Sequence, residues 1–349
     1  MLRFTLASYL CLIAVAGAIA QELPKPGPIV AMRVQTTAAE SSLALAVASL
    51  KKQAGIDFDI AAMEGSAKVE PLATADFWLA VESLAKQTGA RVGLNGNRVK
   101  FTKGTASPSS VDGPFRISVK QVGAKRDFDS DTTAYAVQLE IAWEPRFPVY
   151  MIDESLKIAT ATAGGNPAKA SAGGGRVPTV GFRQLVTVRL DGIPRSAATI
   201  DVLSGSFNVV AAEKLWAVEF ADLTGDKPLS QTKDGVTVKL QPVKRTGKTA
   251  RFDFNLEYPP SHPEFESFEQ WASANRLRLF PPNAAKGYEP TDYVTNETGR
   301  RIAASYSYDA PAGKPASFAD LKGWRAVYET SGPMVTQTVK FELKAILLP

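Results

Sequence analysis

Residues 42–55 read SLALAVASLKKQAG and residues 76–89 read DFWLAVESLAKQTG, one pattern written twice at an offset of 34 residues. Leu43, Val47 and Leu50 of the first copy match Phe77, Val81 and Leu84 of the second, and Gln53 and Gly55 match Gln87 and Gly89. The spacing i, i+4, i+7 puts three apolar side chains on one helix face, and the glycine beyond them suits a left-handed closing residue. Ser42 and Asp76 stand where helices take their N-terminal caps. After each glycine the period becomes two, through Ile56, Phe58 and Ile60 and then through Ala90, Val92 and Leu94. That alternation belongs to a half-buried strand. Each copy therefore predicts helix, glycine stop, strand.

Working outward, Val30, Met32 and Val34 alternate and predict a first strand over 29–34. Residues 68–72 predict a short edge strand, because Pro71 would break a central one. Asn95-Gly96 is a hairpin turn leading into a strand over 98–101. The expected order is β-α-β-β-α-β-β, a small βαββαβ module of α+β class with both helices on one sheet face.

These residues resemble the secretin and TonB N-terminus domain, a short module of secretins and TonB-dependent transducers. The resemblance rests on Leu43 to Leu50 with Gln53-Ala54-Gly55, and on Phe77 to Leu84 with Gln87-Thr88-Gly89. It covers residues 29–103. It implies a periplasmic module that mediates protein contacts without catalysis. It does not extend downstream, where Pro interrupts the strands and the chain ends Ile346-Leu347-Leu348-Pro349 without the girdled strands of an outer-membrane barrel. The whole layout is similar to that of uncharacterised exported bacterial proteins.

The N-terminus reads as a secretory signal. Arg3 supplies the positive region, residues 10–16 the apolar run, and Ala18-Ile19-Ala20 a cleavage site before Gln21. Cys11, the one cysteine of the 349 residues, lies inside this signal. The mature chain is then expected to lack disulfides, a thiol nucleophile and zinc–thiolate chemistry. Loss of 1–20 removes Arg3 and no acid, so a net charge of +5 becomes +4. So small an excess does not make a nucleic-acid footprint.

The expected organisation is a signal over 1–20, a flexible lead-in over 21–28, the module over 29–103 and a linker over 104–113 (GTASPSSVDG). One or two β-sandwich-like domains follow. Alternation at Phe115-Ile117-Val119, Tyr135 to Trp143, 156–161, 184–190, 197–203, 207–211 and 215–220 predicts one over 114–222. Residues 163–175 read as a Gly/Ala-rich loop between those strands. A second sandwich is expected over 223–349, with a short helix over 264–275 carrying Phe265, Phe268 and Trp271.

No residue set specifies a reaction. His262, the one histidine, sits in a Tyr-Pro-Pro-Ser-His-Pro-Glu run, and a Ser261/His262/Glu264 triad fails because adjacent side chains rarely converge. It reads as a surface-loop histidine. Asp127, Asp129 and Asp131 are spaced as in a calcium loop, but Thr132 and Gln138 occupy the positions where Gly and Glu belong. Lys244, Arg245, Lys248 and Arg251 around one turn, and Arg300-Arg301 after Gly299, read as solvated hairpins open to weak contact with anionic polysaccharide or lipid head groups. Gly173-Gly174-Gly175-Arg176 lacks the ending of a phosphate loop. Of the aromatics, Trp143 and Trp216 read as core, Trp271, Trp324 and Tyr288 as carbohydrate-stacking candidates, and Trp78 as the most exposed. The expectation is an exported, periplasmic or envelope-associated, non-enzymatic protein without metal or cofactor, whose partners are other envelope proteins. The rival is a polysaccharide-binding or polysaccharide-acting protein, marked by a cleft of paired carboxylates and exposed aromatics.

Overall fold

The computed structural model of the chain describes residues 27–129, 132–212, 215–246, 248–264, 275–309, 318 and 320–349. The expected signal and the expected helix over 264–275 lie outside the described residues, apart from Glu264 and Asn275. The chain is mostly β, in several sheets, with two helices among the described residues.

The helices are Leu43–Ala54 and Phe77–Thr88. Ser42 caps the first, its Oγ accepting from the Leu45 N–H at 3.4 Å. Asp76 stands at the second cap but turns its carboxylate to Arg33 at 2.8 Å. Gly55 and Gly89 close the helices at φ 69° and 62°, a region open to glycine without steric cost. Leu43, Val47 and Leu50 and their counterparts Phe77, Val81 and Leu84 are all buried in one core.

The strands beside these helices divide between two small sheets instead of forming one. Arg33–Val34 pairs antiparallel with Ala75–Asp76. Arg98–Lys103 pairs parallel with Asp57–Asp59 and antiparallel with Ala90–Asn95. The strand expected over 68–72 reduces to one bridge, Ser42 to Lys68, since Pro71 has no N–H to continue a ladder. Residues 29–32 make no ladder either. They lie along the neighbouring unit, with Ile29 buried and its N–H donating to Gln337 Oε1 at 3.0 Å.

Behind this part, two sheets enclose a second core. One has the strand order Lys169–Ala172, Arg183–Asp191, Thr132–Trp143, Phe115–Asp127, Ser109–Asp112. The other centres on Thr199–Ala212, flanked by Lys157–Ala163 and Val149–Asp153 on one side and Met334–Leu347 on the other. Ile117, Leu139 and Val188 of the first sheet meet Ile152, Leu203 and Val339 of the second. A third core, with Val238, Phe252, Phe254 and Tyr306, lies between a sheet of Leu215–Phe220, Arg325–Ser331 and Arg276–Phe280 and one running from Leu229–Lys233 to Asp292–Thr298.

This corrects the expected division at 222/223. Leu215–Phe220 belongs to the third core, and the C-terminal strand Met334–Leu347 returns to pair with Thr199–Ala212 along its length. The third core is thus an insertion between two neighbouring strands of the second. Alternation reveals a strand but not its partner, so this closure over a long loop left no local trace. Two loops are corrected as well. Within 104–113, Ser109–Asp112 pairs with Phe115–Ser118, and within 163–175, Asn166–Pro167 and Lys169–Ala172 are strands.

The helical part sits on the outer face of the first sheet. Ile117, Leu139 and Ile141 face inward, so Arg116, Ser118, Glu140 and Ala142 alternate outward, yet all four are buried. Ala142 joins the core of the helical part. The Trp78 indole N–H crosses to donate to the Pro114 carbonyl at 3.0 Å.

Candidate functional site

Three places gather polar chemistry: the seam under the helices, the loop around His262, and the outer surface.

In the seam, Arg116 has a side chain 3% exposed and forms an ion pair with Glu82. Ser109 Oγ donates to the same carboxylate at 3.0 Å. Glu140, fully buried, lies 3.0 Å from Lys120 and 3.1 Å from Arg183. Glu144, also fully buried, accepts from the Met32 N–H at 3.0 Å and from Arg146 Nε at 2.6 Å. Burial raises the Glu144 carboxyl above the usual carboxylate range, against the pull of Arg146 and the Met32 N–H. Arg146 also reaches the Val30 carbonyl at 2.8 Å. These charges tie the chain's first described residues and the second helix to one sheet face. They are a clamp, and removing Glu82 would leave the Arg116 guanidinium buried without its counter-charge, which is strongly destabilising. Sequence reasoning missed all of them, because Arg116 and Glu140 stand at outward strand positions, and Glu144 just past a strand end, that look solvated until another element covers them.

His262 is not a surface histidine. It is 2% exposed, its ring stacked 4.0 Å from that of Tyr258. Its Nδ1–H donates to the Pro263 carbonyl at 2.8 Å. Burial pushes the imidazole down to about 4, the Pro263 bond opposing and the Arg300 charge assisting, so the ring is neutral at pH 7. Ser261, His262 and Glu264 form no triad, as their adjacency in sequence implied. Ser261 points to solvent, and Glu264 pairs with Arg300 at 2.6 Å. Beneath the imidazole, the Tyr258 hydroxyl meets Thr330 Oγ1 at 3.0 Å and Ser331 Oγ at 2.9 Å. Burial raises that phenol to about 12. The misreading has a local cause: Tyr258-Pro-Pro folds back, and the His262 N–H bonds to the Pro259 carbonyl at 2.9 Å.

On the surface, the basic hairpin is partly neutralised from within. Asp253 lies 2.8 Å from both Lys244 and Arg251. Although burial opposes it, hydrogen bonds from Lys244, Ser305 and Arg251 bring Asp253 down to about 2. Arg301 pairs with Glu257 at 3.0 Å. Gly174 takes φ 132° and accepts from Ser155 Oγ at 2.6 Å, while Arg176 donates to the Glu264 carbonyl at 2.9 Å. An open concavity of about 610 Å³ beside it is lined by Glu154, Ser171, Thr187 and Arg189 among others, without an aromatic side chain.

Trp143 and Trp216 are buried in the second and third cores. Trp78 is fully buried, which corrects its expected exposure: the sheet beneath covers the helix side that its own stripe leaves open. Trp324 and Tyr288 are half-buried and stack on each other at 6.0 Å, and Trp271 lies outside the described residues. Of the acidic turn, Asp129 is exposed and Asp131 lies outside the described residues. Among the described residues no group of three or more His, Cys, Asp or Glu side chains is placed to hold a metal ion. Among them, too, no helix is long and apolar enough to cross a membrane.

The repeat leaves one further feature. Leu45 and Leu79 occupy equivalent positions in the two copies, and they are 52% and 49% exposed. Leucine at such an exposure stands apart from the buried stripe beside it.

No family model matches the chain, and no curated protein matches it. Among solved structures, the crystal structure of the conserved domain protein from Bacillus anthracis aligns over 68% of this chain and 89% of its own, at 8% identity and a TM-score of 0.17. A likeness of that size carries no inference about fold or function.

Proposed function

We propose that the protein is an exported, non-enzymatic component of the cell envelope that works by contact with other envelope proteins. In this reading residues 29–103 are a βαββαβ contact module of the secretin and TonB N-terminus kind, and the β-rich units behind it are β-sandwich scaffolds. The observation that carries it is the paired exposure of Leu45 and Leu79. A duplicated helix that repeats its buried stripe and also repeats a half-exposed leucine presents two like apolar points, the kind of feature that contact surfaces keep.

The seam supports the same reading. Trp78, Glu82 and Met32 are fixed to Pro114, Arg116 and Glu144, so the helices are presented on a rigid base, not on a tether. The chemical state of His262, neutral and stacked beneath a proline loop, suits structure better than proton transfer at neutral pH. Anionic polysaccharide or lipid head groups contribute little, since Asp253 holds Lys244 and Arg251.

The test has two parts. Mass analysis of native protein should show a chain starting at Gln21, and a retained Met1 on exported material would count against export. Chemical cross-linking in the intact envelope should then join the wild type to a partner and fail with Leu45→Asp/Leu79→Asp, while the circular dichroism stays unchanged. Equal cross-linking by the double variant would remove the helices from the contact.

A further inference from the structure

We propose that the open concavity beside Gly174 binds a short peptide with both ends free, its amino group at Glu154 and its carboxylate at Arg189. This site goes beyond the contact reading above and does not depend on Leu45 or Leu79.

The concavity forms where one strand of a sheet stops short. Arg183–Asp191 pairs on one side with Thr132–Trp143 over residues 183–190, but on the other side Lys169–Ala172 covers only 188–191. Past Ala172 the chain runs on into Gly173, so residues 183–187 keep one edge without a strand among the described residues. That edge opens onto a space of about 610 Å³, a volume in the range of small-ligand sites. Val186, Val188 and Leu190 are buried in the second core, so Leu185, Thr187 and Arg189 project from the opposite face into the space. Ser171 stands opposite Arg189 across the ladder.

Glu154 reaches the same space from the other sheet. Its N–H donates to the Gly175 carbonyl at 3.0 Å, and Ser155 Oγ donates to the Gly174 carbonyl at 2.6 Å. Gly174 lies so close to the Glu154 side chain that a Cβ there would come 2.8 Å from Glu154 Cβ. One carboxylate oxygen, Oε1, accepts from the Gln184 amide at 2.7 Å. The side chain is thus held in place while Oε2 makes no hydrogen bond among the described residues. Neither Glu154 nor Arg189 forms an ion pair among them, and Lys169 and Asp191 face each other one step beyond Arg189.

Three features choose the occupant. A cation and an anion at one space fit a ligand that carries both charges, whereas a simple anion would meet Glu154 and a simple cation Arg189. An unpaired strand edge offers alternating N–H and C=O groups, which another extended backbone satisfies together. No aromatic side chain among the described residues lines the space to stack on a base or a sugar ring. Size sets the length. A space of that volume is roughly 10 Å across, which three or four extended residues span. Leu185, 45% exposed, gives an apolar side chain of the peptide a seat.

The probe is the tetrapeptide Ala-Leu-Ala-Ala, titrated by calorimetry into the mature full-length protein beside its N-acetylated and C-amidated forms. The expected result is saturable binding, weakened at least tenfold by either block, with slowed hydrogen exchange over 184–187. Glu154→Gln keeps an acceptor for the Gln184 amide and should make the free and acetylated peptides bind alike. Arg189→Gln should make the free and amidated peptides bind alike. Thr187→Trp, whose side chain projects into the space and would fill it, should abolish binding with unchanged circular dichroism. No binding, equal binding of free and blocked peptides by the wild type, or protection outside 184–187 would overturn the proposal. So would a preference for free ends that survives both charge substitutions.

Discussion

Replacing His262 by Phe should remove a defined share of the protein's acid sensitivity. Phenylalanine keeps a ring against Tyr258, where the imidazole now stacks at 4.0 Å, and carries no titrating nitrogen. In the native protein burial holds the imidazole down to about 4, against an ordinary 6.5. The native state therefore refuses a proton that the unfolded chain accepts. Stability from this group is fully present above pH 6.5 and is lost as pH falls from there towards 4. A shift of that size corresponds to about 3 kcal/mol when the loss is complete, and to about 2 kcal/mol between pH 7.5 and 5. The charged neighbours are Arg300, whose Nε bonds to the His262 carbonyl at 2.7 Å, and Glu264, which pairs with Arg300. Both are present in wild type and variant, so their titration cancels in the difference. The assay is urea unfolding at pH 7.5, 6 and 5, read by tryptophan fluorescence, since Trp216 lies in the core and Trp324 packs against it. Wild type should lose about 2 kcal/mol more than His262→Phe over that range. Parallel pH profiles would refute the assignment of a buried, neutral imidazole.

Two further outcomes follow from burial. Leu84→Ala should destabilise the chain by about 2–5 kcal/mol, and Lys86→Ala, on the exposed side of the same helix, by about 0.5 kcal/mol or less, both by denaturant unfolding. Glu144→Gln should leave the protein no less stable at pH 7. The raised Glu144 carboxyl contributes stability below its unfolded pKa that is lost as pH rises, and an amide oxygen still accepts from Met32. A clear loss of stability in a thermal melt at pH 7 would instead make the ion pair with Arg146 net favourable.

Local rules carried the sequence as far as they reach. The stripe at Leu43, Val47 and Leu50, the glycines after it and the Asn95-Gly96 turn all concern neighbours within a turn or two of chain. The strand Leu215–Phe220 was legible for the same reason, since its alternation is complete. Pairing between distant segments was not. Residues 197–203 and 207–211 read as two strands because Ser204-Gly205-Ser206 looks like a turn, yet Thr199–Ala212 is continuous. Gly205 serves close approach there: a Cβ would come 2.6 Å from the Lys157 carbonyl. The stretch GTASPSSVDG has a linker's composition, but Asp112 and Ser110 bond to backbone N–H groups of Met334–Leu347, more than 200 residues away along the chain. Trp78 was misjudged and Arg116 was missed for one reason. Each looks exposed on its own element, and each is buried only because the two elements face each other.

The central claim is that the duplicated helices are a contact surface in the envelope, and site-specific photo-cross-linking in living cells tests it most directly. A photoreactive residue placed at Leu45 or at Leu79 should yield an adduct with the same envelope protein from both positions, and one placed at Lys86 should not. Absence of an adduct from both leucine positions, or an equal adduct from position 86, would contradict the claim.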